Sequence, residues 1–175
     1  MKILIISLPR TGSTSLMKQI AKKDRLRGVF EPFGVTNTNK PNFDYDKIDD
    51  IVVKTMIFDV IEPSVDNIQF YTEFSKKFDK VILLSRRNLR DCAESLAYLE
   101  KYGGKNGYGL ASPYVWNETG LNIDGKYEFL LRQNMDLENL SQVLKIPIIY
   151  YEDIFDVNSN ERYRKNVKID KSKLI

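Results

Sequence analysis

Residues 2–7, Lys-Ile-Leu-Ile-Ile-Ser, form a short apolar run that leads almost directly into Pro9-Arg10-Thr11-Gly12-Ser13-Thr14-Ser15. An apolar run without polar alternation fits a strand buried on both faces, as in a parallel sheet. Parallel neighbours cannot be joined by a hairpin and need a crossover, commonly a helix. Residues 13–23 predict that helix, with Leu16, Met17, Ile20 and Ala21 on one side. The chain therefore begins with a strand, a Pro/Gly-containing turn at 8–12 and a helix.

The same alternation continues. Further strands are expected at 28–30, 50–56, 80–85 and 146–151, and helices at 65–78, 88–102 and 126–144. Asn88 and Asp91 are spaced like a capping box at the start of the helix from 88. Residues 34–46 read as loop. Residues 103–109 hold four of the chain's nine glycines, so 103–125 is expected to be a long loop or lid carrying Tyr108, Tyr114 and Trp116. The tail at 157–175 is charged and weakly structured in its pattern. No repeat or composition break divides the chain, so 1–175 is read as one domain. The expected fold is α/β: three layers, with a parallel sheet of about five strands flanked by helices. Ligands in such sheets bind at the carboxyl ends of the strands.

Composition narrows the chemistry. Hydrophobic residues at 42% and charged residues at 29% exclude a disordered or fibrous chain. A net charge of +3 gives no global field for nucleic acid or an anionic membrane, so neither is an expected partner and any anion site is local. There is no histidine, which removes a Ser-His-Asp triad, a His-bearing zinc site and an imidazole base. A general base must then be Glu, Asp, Lys or Tyr. Cys92 is alone, so no intrachain disulfide or Cys-rich metal site forms; it is expected to pack as a small apolar residue in a helix. No segment approaches the roughly 18 apolar residues of a membrane span, and the apolar start is too short for a signal peptide. A cytoplasmic setting is the expectation.

The turn at 9–15 offers the chemistry of a phosphate site: a helix N-terminus with unpaired N–H donors, Gly12 for close approach, three hydroxyls at Ser13, Thr14 and Ser15, and the forked cation of Arg10. The same residues also suit a tight turn with Ser or Thr as a simple N-cap. The turn is not a Walker A loop, because no Gly-Lys pair follows. A second cationic cluster, Arg86, Arg87 and Arg90, bunches where a strand meets a helix; it serves an anion or is a solvated turn with Arg90 paired to Asp91 or Glu94.

Pro9-Arg-Thr-Gly-Ser-Thr-Ser-Leu16 resembles the 5′-phosphosulfate loop of sulfotransferases that use 3′-phosphoadenosine 5′-phosphosulfate (PAPS), of the carbohydrate and bacterial type. Val81-Ile-Leu-Leu-Ser-Arg-Arg-Asn-Leu-Arg-Asp-Cys-Ala-Glu-Ser95 is similar to the family's second motif, a strand ending in Arg with Ser eight residues later. The resemblance implies that Arg10, Thr11, Gly12, Ser13, Thr14 and Ser15 hold the 5′-phosphosulfate. It implies that Arg10 contacts the leaving oxygen and the sulfuryl group, and that Arg87 and Ser95 bind the 3′-phosphate. Val29-Phe30-Glu31-Pro32-Phe33 resembles the family's Phe-Glu-Pro segment and makes Glu31 the first candidate base; Glu31 also fits a structural carboxylate paired with a local Lys or Arg. Lys54, at a strand end, is a candidate for the sulfuryl oxygens and equally for a buried ion pair. Tyr150-Tyr151-Glu152-Asp153-Ile154 resembles the family's Tyr-Glu-Asp-Leu segment and reads as mainly structural. Arg162, Arg164 and Lys165 do not complete the Arg-Lys-Gly segment of cytosolic members, since Asn166 replaces the glycine.

The resemblance covers roughly 2–102 and 146–155. It implies in-line transfer of a sulfuryl group from PAPS, without a metal, to a hydroxyl or amine of a carbohydrate or small molecule. The alternatives are a nucleotide or small-molecule kinase, and a nucleotide-binding module without turnover.

Overall fold

A computed structural model describes residues 1–33, 44–58, 66–106 and 120–155. In chain order the elements are β1 (Lys2–Ser7), α1 (Ser13–Asp24), β2 (Arg27–Phe30), β3 (Ile51–Met56), α2 (Asn67–Ser75), β4 (Lys80–Ser85), α3 (Leu89–Asn106), α4 (Ile123–Leu144), β5 (Ile148–Tyr150) and the single turn α5 (Tyr151–Ile154). The strands form one sheet in the order β2-β3-β1-β4-β5, and every pairing is parallel.

Strand side chains alternate between the two faces of a sheet, and β1 shows why its apolar run is continuous. Leu4 and Ile6 pack on one face with Tyr71 and Phe74 of α2 and Leu137 and Leu140 of α4. Ile3 and Ile5 pack on the other face with Leu16, Met17 and Ile20 of α1. Both faces are covered, so no position of β1 between Leu4 and Ser7 touches water. Helices flank the sheet on both sides, as expected from the strand–helix alternation. α3 lies against α4 through a small separate cluster of Cys92, Ala93 and Leu130. Cys92 is buried, as its isolation in the sequence predicts, and burial pushes its thiol up to about 12.

Local chemistry sets the helix starts. The Asp66 side chain accepts from the amides of Ile68 and Gln69, which opens α2 at 67 rather than at 65. Asn88 Oδ1 accepts from Asp91 N at 3.2 Å, the cap anticipated for α3. Asn122 Oδ1 accepts from Gly125 N at 3.1 Å, so α4 begins at 123 and not at 126.

Two expectations need correction. α3 continues to Asn106, so Gly103 and Gly104 are helical and the glycine-rich stretch does not begin as a loop. A helical glycine costs only about 1 kcal/mol relative to alanine, so the pair does not by itself end a helix. The last strand is shorter than 146–151, because Tyr151 already belongs to α5. Tyr108, Tyr114 and Trp116, most of the expected lid and the tail from 156 lie outside the described residues. Among the described residues, no helix is long and apolar enough to cross a membrane.

Candidate functional site

A cleft of about 400 Å³ opens where the five strands end, a volume within the roughly 300–1,000 Å³ of small-molecule sites. Every strand contributes to its wall. The β1–α1 turn supplies Pro9, Arg10, Gly12, Ser13, Thr14 and Ser15; the β2 end supplies Phe30 and Glu31; the β3 end supplies Lys54, Met56 and Phe58. Arg86 comes from the β4 end and Tyr151 from the β5 end. One face of α3 completes the wall with Asp91, Ser95 and Leu99, spaced one turn apart, joined by Glu94 and Leu96.

The β1–α1 turn is shaped for a ligand with acceptor oxygens. Gly12 is the N-cap of α1, with φ 73°, and no side chain caps the helix. The simple N-cap alternative for Ser13–Ser15 is therefore not what forms. A Cβ at Gly12 would meet the Tyr151 ring at 2.8 Å, so glycine is required by both φ and space. Arg10 also has positive φ, 60°, and its Nε donates to Ser95 Oγ at 2.7 Å. Thr11 stands apart from the other hydroxyls: it is buried, donates to Leu8 O at 2.8 Å, and does not line the cleft. It braces the turn from behind.

Glu31 and Lys54 meet each other. Phe30 and Lys54 are register partners, and Glu31 N donates to Lys54 O at 2.7 Å immediately beyond the strand pair. That register, with φ 42° at Glu31, places the carboxylate beside the Lys54 ammonium, and the two form an ion pair. Both are buried, Lys54 at 2% exposed and Glu31 at 7%, yet both line the cleft. Lys54 Nζ also lies 4.7 Å from the centroid of the Phe30 ring. The pairing of Glu31 with a local lysine is thus the geometry of the pair, and it stands where a ligand would touch it.

The arginine cluster divides three ways. Arg87 is not among the cleft's lining residues: its two Nη atoms bind both oxygens of Asp153, at 2.8 and 2.7 Å, over the Tyr150 ring. The hydrogen bonds it donates to Asp153 hold its guanidinium above the usual range. Arg90 pairs with Asp124 of α4 at 2.7 Å, not with Asp91 or Glu94. Arg86 alone of the three faces the cleft, with Nη2 3.1 Å from Asp91 Oδ2. Of the expected 3′-phosphate pair, Ser95 is in the cleft and Arg87 is outside it.

The sequence reading places Arg86 in the cationic cluster without singling it out for the cleft, and does not mark Asp91 or Tyr151 as site residues, although a signal for Arg86 is present. Ile82 and Leu84 of β4 pack with α1, the helix that follows the cleft turn. Period-two alternation puts Arg86 on that same face. Burial raises the Tyr151 hydroxyl above its ordinary range, while nearby Arg86 works in the opposite direction.

No protein-family model and no curated protein sequence matches the chain.

Proposed function

We propose that this chain is a sulfotransferase on a P-loop-like scaffold, moving a sulfuryl group from PAPS to a hydroxyl or amine acceptor. The observation that carries the reading is the Arg10–Ser95 hydrogen bond. It joins two motifs 85 residues apart, one suited to a 5′-phosphosulfate and the other to a 3′-phosphate, across a single cleft. The uncapped start of α1 supports it, because amide donors and the helix dipole face the same space.

In this reaction the acceptor oxygen or nitrogen attacks sulfur in line. Its bond to sulfur forms while the bond from sulfur to the 5′-phosphate oxygen breaks, and that oxygen keeps the electron pair. Arg10 and the first amides of α1 stabilise the charge growing on the leaving phosphate. Glu31 takes the acceptor's proton, and Lys54 stands beside it for the equatorial sulfuryl oxygens. Ser95 contributes to holding the 3′-phosphate. The absence of a Gly-Lys pair favours this donor over ATP.

Calorimetry with 3′-phosphoadenosine 5′-phosphate (PAP), ADP and ATP tests the donor, and transfer of label from PAPS tests the chemistry. PAP is expected to bind at least about tenfold tighter than ADP, the worth of one charge-assisted hydrogen bond. Equal binding of PAP and ADP, or preference for Mg²⁺-ATP, overturns the reading. PAP preference with label transfer unaffected by Glu31→Gln would remove Glu31 as the base.

A further inference from the structure

We propose that Arg86, not Arg87, is the arginine that meets the ligand's second anionic group, and that Arg87 is a latch holding the β4–α3 turn to α5. This rests on the sulfonucleotide reading where it names that group a 3′-phosphate.

Arg86 faces the cleft with Arg10 and Ser95. Its guanidinium carbon lies over the Tyr151 ring, 5.0 Å from the centroid. Two carboxylates flank it: Asp91 at 3.1 Å and Glu152, whose Oε1 is 3.7 Å from Nε. The second separation is that of an ion pair and not a hydrogen bond, and Nε is buried without a hydrogen-bond partner. A buried guanidinium N–H left unpaired is costly, and native structures keep few such groups. At a cleft wall, an arginine whose own carboxylates leave part of its fork unsatisfied is suited to take a further partner from a ligand.

Arg87 has the opposite character. Both Nη atoms are bound bidentately by Asp153, and Tyr150 packs beneath the fork at 4.5 Å. Glu152 closes the same corner, accepting from the amides of Arg87 at 3.1 Å and Asn88 at 3.3 Å. The protein's own carboxylate therefore takes up the amides of the turn just ahead of α3. What stays on the cleft side is Arg86, with Ser95 further along α3. The spacing of arginine and serine in the sequence points to Arg87; the strand's alternation points to its neighbour.

The test is calorimetry of PAP, adenosine 5′-phosphate and pyrophosphate on the full chain and four variants, with the thermal midpoint of each. Arg86→Ala should weaken PAP by roughly tenfold to a hundredfold and erase its advantage over adenosine 5′-phosphate. Arg86→Lys, which keeps the charge and guards against loss of folding, should fall between. Arg87→Ala and Asp153→Asn should lower the thermal midpoint by similar amounts and leave the PAP advantage in place. Loss of that advantage in Arg87→Ala with its survival in Arg86→Ala overturns the assignment. If the unaltered chain shows no PAP advantage, the sulfonucleotide reading fails by itself. Pyrophosphate then decides for Arg86: weakened binding only in the Arg86 variants supports the anion role, and unchanged binding ends it.

Discussion

Arg10 donates through Nε to Ser95 Oγ at 2.7 Å, so the first turn of the chain and the middle of α3 form one wall. An arginine held this way is pre-aimed, and less side-chain freedom is lost when an anion binds. Arg10→Ala is expected to weaken PAP by roughly tenfold to a hundredfold. Ser95→Ala leaves the charge and frees its direction, so its loss should be smaller. Calorimetry of both variants and their double tests the coupling: losses that simply add would show that the two act independently.

The Glu31–Lys54 pair makes a prediction about stability. Lys54→Met leaves a buried carboxylate without its cation, and breaking such a pair costs about 3–5 kcal/mol. Adding Glu31→Gln should recover part of that loss, because the stranded charge is gone. Urea unfolding of the two singles and the double checks this. A double variant less stable than Lys54→Met would contradict the pairing.

Gly12→Ala combines two penalties, a positive φ and a Cβ pressed into the Tyr151 ring at 2.8 Å. The backbone part alone is of order 1–3 kcal/mol. Tyr151→Ala in the same chain should relieve the closest clash and leave the backbone part and the milder contact with Phe155 at 3.1 Å. Thermal unfolding should therefore find Gly12→Ala more damaging in the presence of Tyr151 than in its absence.

Cys92 supplies a pH dependence. Its thiol ionises near 9.0 when unfolded and is raised to about 12 in the fold, chiefly by burial. The unfolded chain therefore releases this proton first as pH rises. The contribution to stability is complete below pH 9 and is lost as pH climbs toward 12. Cys92→Ala should flatten that part of the stability profile. Disulfide reagents at pH 8 should label the native thiol far more slowly than the denatured one.

Much of the frame could be read from residue pattern, because strands buried on both faces leave an unmistakable apolar run. β1 and β4 coincide with the expected 2–7 and 80–85. Glycine was harder to interpret. Gly125 reads as a loop residue in one dimension, yet it sits in the first turn of α4, where a Cβ would lie 2.6 Å from the capping oxygen of Asn122. The site shows the same division. The cleft position of Arg10, Gly12 and the three hydroxyls at 13–15 follows from a strand–turn–helix, which is local. The pairing of Glu31 with Lys54 depends on β2–β3 register, and the separate fates of Arg86 and Arg87 depend on Asp153, 66 residues away from Arg87. Such long-range partners leave no spacing to recognise.

The Tyr151 ring resting on Gly12 also bears on how the protein is made. The turn that carries the candidate anion site is synthesised some 140 positions ahead of the aromatic wall behind it. Contacts so distant along the chain carry a loop-closure cost that slows folding. During synthesis the turn waits, and the cleft acquires its closing wall only once β5 has joined the sheet's edge.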